Sequence, residues 1–304
     1  MKRTVLITGG SGLLALNWAL AIRDRYSVTL GLHKRTLSLA GVQTRQIDLE
    51  SVDHLVRAFE TVRPQLVIHT AGLTSVEECE ARPDLARHVN VDLAANVALA
   101  CARLGLSLVH ISTDHLFSGE ASLVDEMHPV APKNVYGRTK AEAEDRVLDA
   151  HPQALVIRTN FYGWGPSYRR SFSDVIVGAL RSVKELNLFK DVFYTPILIE
   201  VVAQATHDLV GLKAGGIFHV VGDERISKYE FGLKIAEGFN LASGGIKPGF
   251  LADRHELVRR PQDMSLSNRK ACRTLGRKLG GIAEHIARLL QQEQTGAARE
   301  IQAL

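Results

Sequence analysis

The chain has 304 residues, 45% of them hydrophobic, and a formal net charge of +4 at pH 7. This length allows one large domain or two smaller ones. The 37 basic residues are interleaved with 33 acidic residues, which argues against a nucleic-acid polymer as the partner and leaves a small phosphorylated ligand open.

The cysteines and the apolar runs predict the compartment. Cys79, Cys101 and Cys272 are far apart and lack paired spacing, so we expect neither a disulfide framework nor a zinc site. The first apolar run is too short for a signal peptide, and no run of about 18 apolar residues could span a membrane. The histidines show no metal-ligand spacing, so we expect no catalytic metal. These features predict a soluble, cytoplasmic protein.

In the first half of the chain, short apolar runs alternate with longer segments of helical period. The predicted strands are residues 4–8, 28–32, 66–70, 106–112 and 154–158. The predicted helices between them are residues 13–23, 52–62, 83–104 and 136–149. Because the strands are apolar on both faces, the pattern predicts an α/β fold: a Rossmann doubly wound parallel sheet covered by helices.

The alternation stops near residue 160. A helix is predicted over 199–212, and a strand over 217–221 could return to the sheet. We therefore expect an NADP-binding Rossmann domain over 1–158 plus about 192–221, and a smaller, discontinuous C-terminal substrate-binding domain over about 159–191 and 222–290. The polar residues 291–304 are expected to form a frayed tail.

A glycine-rich segment follows the first predicted strand and opens the first helix. Gly9 permits a tight turn, Gly12 removes a side chain where backbone would meet a diphosphate, and Ala15 allows close helix packing. The amides at the helix N-terminus, including those near Ser11 and Leu13, would attract phosphate. The alternative is an ordinary turn from strand to helix that happens to contain glycines.

The residues after the second strand bear on the choice of cofactor. An NAD site usually has an acidic residue about 20 positions beyond the first glycine, but His33, Lys34 and Arg35 occupy that place. Basic residues would pair with a 2′-phosphate, so we expect NADP(H), with NAD(H) or a simple solvated basic turn as alternatives. Five further residues would line the adenine and diphosphate cleft: Asp48, Leu49, Thr70, Ala71 and Gly72.

Tyr136 and Lys140 lie four residues apart at the start of a predicted helix, so they project from one face. A phenol with a pKa of about 10 needs a nearby cation to ionise near neutral pH, and Lys140 could supply it. Thr113 follows the fifth strand at the carboxyl edge of the sheet, where doubly wound folds bind ligands. Hydroxyls from Thr113 and Tyr136 could both bind a substrate carbonyl oxygen.

These motifs resemble those of the extended short-chain dehydrogenases, and within them the dTDP-4-dehydrorhamnose reductase-like branch. Residues 112–119 (Ser-Thr-Asp-His-Leu-Phe-Ser-Gly) are similar to that branch's Ser-Thr-Asp-Tyr-Val-Phe-x-Gly segment. Residues 132–140 (Pro-Lys-Asn-Val-Tyr-Gly-Arg-Thr-Lys) are similar to its catalytic helix. The resemblance covers residues 1 to about 290.

The resemblance implies an NADPH-dependent oxidoreductase that reduces a 4-keto group on a nucleotide-diphosphate sugar. Thr113 and Tyr136 would polarise the ketone, while Lys140 would hold the cofactor ribose and tune Tyr136. Asn90, Tyr136 and Lys140 are also expected among the cofactor-binding residues. Asn90 would be the family's structural or proton-relay asparagine, unless it is a helix-surface amide.

The resemblance also implies a substrate site beside the catalytic residues. For the members after residue 159, the alternative roles are ordinary packing in the core and solvated charge at the surface. Its members are Thr113, Asp114, His115, Asn160, Phe161, Trp164 and Arg260, the last facing the diphosphate.

Two other functions remain open. His115 stands where the branch has tyrosine and where related dehydratases have an acid, so dehydration is disfavoured. An epimerase that retains its cofactor could use the same Tyr136 and Lys140. A non-catalytic NADP-binding protein resembling the regulatory subunit of methionine adenosyltransferase is the second alternative, and a homodimer is compatible with each function.

Overall fold

Seven parallel strands form the central sheet of the structure, a computed structural model that describes residues 2–304. The strands in chain order are β1 (Thr4–Thr8), β2 (Ser27–Leu32), β3 (Gln43–Gln46), β4 (Leu66–His69), β5 (Ser107–Thr113), β6 (Leu155–Thr159), β7 (Phe161–Tyr162), β8 (Leu186–Phe189), β9 (Phe193–Tyr194), β10 (Ile197–Leu198), β11 (Gly216–His219), β12 (Ile226–Ser227) and β13 (Ile246–Gly249). The large sheet has the order β3-β2-β1-β4-β5-β6-β11, and every pair is parallel. This confirms the predicted Rossmann fold, including the strand that returns to the sheet after the insertion.

In the described part of the chain, twelve α-helices connect and cover the strands. They are α1 (Leu13–Ile22), α2 (Val52–Val62), α3 (Val76–Ala81), α4 (Pro83–Arg87), α5 (Leu93–Leu104), α6 (Val135–Ala150), α7 (Phe172–Arg181), α8 (Ile199–Gly211), α9 (Lys228–Gly238), α10 (Arg269–Leu275), α11 (Ile282–Gln294) and α12 (Ala297–Gln302). A π-helical turn, His88–Asp92, joins α4 to α5, and a short 3-10 turn spans Leu251–Asp253. Among residues 2–304, no helix is both long enough and apolar enough to cross a membrane.

The sheet is buried on both faces because alternate residues of each strand point to opposite sides. On one face Val5 and Ile7 of β1 belong to a core that includes residues of α1 and α8. On the other face Leu6 packs in a second core with residues of α2, α5 and α6. The strands are apolar on both faces because each face packs against its own layer of helices.

The residues that the structure describes also form three small sheets outside the seven-stranded sheet. β7 pairs with β10, β9 with β12, and β8 with β13. All six strands come from residues 161–249, where the regular alternation of strand and helix is lost in the sequence. The exact boundaries between two domains stay a prediction.

The expectation of a frayed tail over 291–304 is wrong. α11 extends to Gln294, and α12 follows directly. Ile301 is 1% exposed, and Arg23, the residue that caps the C-terminus of α1, donates two hydrogen bonds to the Glu300 carboxylate at 2.6 and 2.8 Å. Ala298 and Ile301 lie three residues apart on one helical face, and this small apolar face is enough to dock the segment.

Candidate active site

A cleft of about 850 Å³ opens at the carboxyl edge of the central sheet. Ligands of doubly wound folds bind at this edge, where the strand order reverses between β1 and β4. The cleft brings together most of the residues predicted from the sequence. They are Gly9, Ser11, Gly12, Leu13, His33, Lys34, Asp48, Leu49, Thr70, Ala71, Gly72, Thr113, Asp114, His115, Tyr136, Lys140, Asn160 and Phe161.

The glycine-rich turn lies at one end of this cleft. Gly9 has a φ of +71°, and a Cβ there would lie 2.6 Å from the amide nitrogen of Ala71, so both the conformation and the space require glycine. Gly12 is the N-cap of α1 and offers no side-chain hydrogen bond to the first turn. Helix amides near this end are therefore not capped by a side chain, which suits an anionic ligand.

The basic segment after β2 contacts Tyr168, which belongs to none of the sequence motifs. Lys34 lines the cleft, whereas the Arg35 guanidinium stacks on the Tyr168 ring, 3.6 Å from its centroid. The Tyr168 hydroxyl donates a hydrogen bond of 2.8 Å to the Ser11 carbonyl oxygen. Arg169 also lines the cleft and donates to the Thr74 hydroxyl. Only the run of tyrosine and two arginines at 168–170 could have indicated this role.

The Tyr136 and Lys140 pair projects from the first turns of α6, which Asn134 caps by accepting a 2.9 Å hydrogen bond from the Gly137 amide. Burial lowers the pKa of Lys140 to about 8, and the Glu144 carboxylate opposes the shift. Burial raises the pKa of Tyr136 to about 12, and a hydrogen bond with Thr113 opposes that shift. At neutral pH the pair is therefore a phenol beside an ammonium group.

Thr113 and Asp114 leave β5 next to this pair. Both are buried, and the Thr113 hydroxyl accepts a 3.2 Å hydrogen bond from the His115 amide. Asn160 donates its amide to the Asp114 carboxylate, which links the ends of β5 and β6. The His115 ring meets the Tyr136 ring edge-on at 5.5 Å, and burial lowers the pKa of His115, so it is neutral at neutral pH.

Asn90 lies in the π-helical turn rather than on a helix surface. It is 1% exposed, and its side chain accepts from the Leu73 amide at 2.7 Å and donates to the Leu73 carbonyl oxygen at 3.1 Å. It also donates to the Thr139 hydroxyl at 3.0 Å. The surface-amide alternative is therefore wrong: Asn90 ties the loop after β4 to α6 without lining the cleft.

Two predicted substrate residues lie outside the cleft lining. Trp164 is 2% exposed, and its indole nitrogen donates to the Leu289 carbonyl oxygen at 3.2 Å. The chain turns toward α1 and α11 at this point, so the prediction that Trp164 contacts a ligand in the cleft is corrected. Arg260 forms an ion pair with Glu77 at the exposed end of α3.

Within the described residues 2–304, no group of three or more His, Cys, Asp or Glu side chains is arranged to hold a metal ion. The cleft lining combines hydroxyls, the amines of Lys34 and Lys140, the Arg169 guanidinium, carboxylates and imidazoles with the backbone of the glycine-rich turn. This arrangement can bind a phosphorylated ligand at the glycine-rich end and donate a proton to an oxygen at the Tyr136 end.

Comparisons with known proteins agree with this geometry. The sequence profile of a family described as the RmlD substrate binding domain matches residues 1–295. A probable low-salt glycan biosynthesis reductase of Haloferax volcanii is 28% identical over 84% of this chain and 87% of its own length. The methionine adenosyltransferase 2 subunit beta of Mus musculus is 30% identical over 81% of this chain and 75% of its own.

A solved structure shares both the fold and the extent of the chain. It is the dTDP-4-dehydrorhamnose reductase of Bacillus anthracis in complex with NADP, with a TM-score of 0.84 and 25% identity. The match covers 96% of this chain and all of the other. The similarity therefore includes both the sheet and the segments outside it.

Proposed function

Because this chain belongs to the RmlD substrate binding domain family, we propose that it is an oxidoreductase that uses NADPH to reduce a 4-keto group on a nucleotide-diphosphate sugar. One observation carries the proposal: Thr113, Tyr136 and Lys140 line the same cleft as the glycine-rich turn. A cofactor bound along that turn would therefore end beside the acid that protonates the product oxygen. The NADP complex of the Bacillus anthracis reductase supports this choice of cofactor.

The residues present fit NADP(H). Gly9, Ser11 and Gly12 line the cleft, and the first turn of α1 has no side-chain cap, so its amides are available to a diphosphate. Lys34 and Arg35 offer cations where an NAD site has an acid. NADPH supplies the hydride when it is bound.

The catalytic residues would act on the substrate oxygen. Tyr136 is a phenol at neutral pH, so it can donate its proton to the carbonyl oxygen as that oxygen becomes an alcohol. Lys140 is charged below pH 8 and lowers the cost of the phenolate that remains. The Thr113 hydroxyl would donate a second hydrogen bond to the same oxygen and fix its position.

The substrate side of the cleft would be formed by Asp114, His115, Asn160 and Phe161. Asp114 and Asn160 already share a hydrogen bond, so they would present a rigid polar wall to sugar hydroxyls. Arg260 pairs with Glu77, and it would have to leave that partner to meet a diphosphate.

We place the reaction in two proposed domains, with cofactor binding in residues 1–158 plus about 192–221, and substrate binding in about 159–191 and 222–290. The cytoplasm is the proposed location. Cys79, Cys101 and Cys272 are all free thiols, which supports a reducing compartment.

The first test is NADPH oxidation, followed at about 340 nm, with freshly prepared dTDP-4-keto-6-deoxyglucose and with its C3/C5-epimerised form. We expect oxidation of NADPH with at least one of the two, and a new alcohol at C4 of the sugar. Binding of NADPH without turnover of either substrate, or of the corresponding UDP and GDP sugars, would contradict a reductase.

A non-catalytic role is the second candidate, and the 30% identity to the methionine adenosyltransferase subunit supports it. The retained Thr113, Tyr136 and Lys140 favour catalysis, because a binding protein has no need of a buried amine beside a phenol. Pull-down with a purified methionine adenosyltransferase separates the two candidates: a stable complex together with no turnover would favour the binding role.

A further inference from the structure

Behind Lys140, two histidines are stacked inside the protein. His69 on β4 and His110 on β5 are partners in the parallel register, so their side chains share one face of the sheet. Their rings lie 5.5 Å apart at an angle of 18°, and the residues are 1% and 0% exposed. The Thr8 hydroxyl lies 2.7 Å from Nδ1 of His69 and fixes that ring at the end of β1.

This stack reaches the amine of Lys140. The Lys140 Nζ lies 3.3 Å from Nε2 of His110 and donates a 2.7 Å hydrogen bond to the Ile111 carbonyl oxygen. An ammonium group has three N–H donors, and a buried one needs acceptors in the protein. His110 is therefore the side chain placed to accept from this ammonium.

The other groups facing Lys140 do not replace that acceptor. Glu144 belongs to the same helix, but its carboxylate is engaged by Arg158 of β6 in a buried ion pair of 2.6 Å. Tyr136, also on α6, is a phenol near neutral pH. From the sheet, β5 presents His110 and the Ile111 carbonyl, and β4 presents His69 behind them.

The imidazole rings of His69 and His110 are both neutral. This determines which atom is the donor in the contact between Lys140 Nζ and His110 Nε2. Burial and the charge of Lys140 lower the pKa of His69 to about 3 and that of His110 well below its usual range. A neutral imidazole has one donor and one acceptor nitrogen. While Lys140 is an ammonium group, Nε2 of His110 must be the acceptor, so the ring proton must lie on Nδ1.

We propose that His110, supported by His69, is a positioning residue that holds the Lys140 side chain in the cleft and stabilises its ammonium form. The proposal rests on the proposed function, because His110 matters for the reaction only if Lys140 assists proton donation by Tyr136. Without this acceptor the buried ammonium would have fewer partners and would lose its proton more readily.

The test measures the titration of Lys140 in the full, cofactor-free protein by NMR of lysine labelled with ¹³C at Cε, with Lys140→Arg identifying the signal. Wild type should titrate near pH 8. His110→Phe should lower that pKa by about one unit, since a hydrogen bond to a charged group is lost. His110→Gln, whose amide oxygen can take the place of Nε2, should restore it.

Equal titration of wild type and His110→Phe would overturn the proposal, and so would a Gln variant that behaves like the Phe variant. His285→Phe is the matched control, since His285 is buried in α11 and hydrogen-bonded to the Leu279 carbonyl. It should leave the Lys140 titration unchanged.

A second measurement uses only the wild type, so it tests the proposal even if His110→Phe does not fold. Long-range ¹H–¹⁵N spectra of the wild type should show the His110 proton on Nδ1 below pH 8, and a proton on Nε2 would overturn the proposal. Neither measurement uses a sugar substrate. The NMR differences would therefore support the positioning role even if no keto sugar is turned over, a result that would count against the proposed function alone.

Discussion

At the scale of single residues, burial has opposite effects on the pKa values of Tyr136 and Lys140 in the active site. Burial holds Tyr136 in its protonated form and makes Lys140 easier to deprotonate, although the proposed reaction needs the proton on both. For Lys140, the hydrogen bond that it donates to the Ile111 carbonyl oxygen and the charge of the Glu144 carboxylate favour the protonated form. The site therefore works over the pH range in which both groups keep their protons, which ends near pH 8.

Tyr136→Phe should lower kcat by roughly 10²–10⁴-fold, because the variant keeps the ring but loses the proton donor. The affinity for NADPH should change by less than about threefold, since the phenol acts on the substrate oxygen. Steady-state kinetics and fluorescence titration of NADPH measure the two effects. Full activity in this variant would exclude Tyr136 as the acid.

Tyr168 and Arg35 should act together in the choice between NADPH and NADH. Tyr168→Leu removes the ring on which Arg35 stacks, and a cation–π contact of this kind contributes about 0.5–2 kcal/mol. Relative to Tyr168→Phe, which also lacks the hydrogen bond to Ser11, we expect NADPH to bind about 2- to 30-fold more weakly and NADH to bind equally well.

A double-mutant cycle with Arg35→Ala tests the coupling. If Tyr168 affects NADPH binding only by positioning Arg35, the double variant should bind NADPH no more weakly than Arg35→Ala. Tyr168→Phe, which keeps the ring and loses the hydrogen bond to Ser11, is the matched control. Additive losses would mean that the two residues act independently.

At the scale of elements, hydrophobic periodicity predicted the helices well where a segment has one apolar face. It predicted them poorly where the local structure depends on hydrogen bonds to residues distant in sequence. The helices 52–62 and 136–149 match α2 and α6 closely. The predicted helix 83–104 contains a π-helical turn at His88–Asp92, which the 3.6-residue period cannot show. That turn carries Asn90, whose bonds to Leu73 and Thr139 depend on contacts distant in sequence.

Sequence motifs identified the residues at the centre of the cleft better than those of the segment after β6. The glycine-rich turn and the catalytic helix carry local signatures, so their residues were found. Tyr168 contacts Ser11 across 157 positions and Trp164 bonds to Leu289 across 125, and neither contact leaves a local pattern in the chain. Trp164 was therefore assigned to a ligand when it belongs to the core.

The docking of α12 can be divided into an apolar part and an ionic part. Ile301→Ala should lower the free energy of unfolding by about 2–4 kcal/mol, because the side chain is buried. Glu300→Gln breaks a pair with Arg23 whose side chains are 22% and 36% exposed, so the loss should be about 1 kcal/mol or less. Urea denaturation of both variants measures the difference, and the reverse order would show that the ion pair dominates.

At the scale of the whole molecule, buried histidines should make the protein sensitive to acid. Burial lowers the pKa of His69 and of His219 to about 3, and that of His207 to about 4. Below pH 6.5 the unfolded chain therefore binds protons that the folded chain does not, so stability falls as the pH falls. Each histidine should contribute a loss of up to about 2 kcal/mol between pH 7 and 5.

Urea denaturation at a series of pH values tests this dependence. His219→Gln keeps an acceptor for Arg158 and removes one titrating ring, so its stability should fall less steeply between pH 6.5 and 4 than that of the wild type. A stability that is constant from pH 7 to 5 would contradict the assignment of neutral buried rings.

The contact between α12 and α1 also has a consequence for synthesis on the ribosome. The helix α1 and Arg23 at its end are made early, but α12, which contacts α1 and supplies Glu300, forms only after residues 297–302 have emerged. The surface of α1 that contacts α12 therefore stays exposed to chaperones or to other chains until α12 has formed. A fusion partner joined directly after Leu304 would lie beside this late-forming contact, so we expect such fusions to lower the yield of folded protein more than fusions at residue 2.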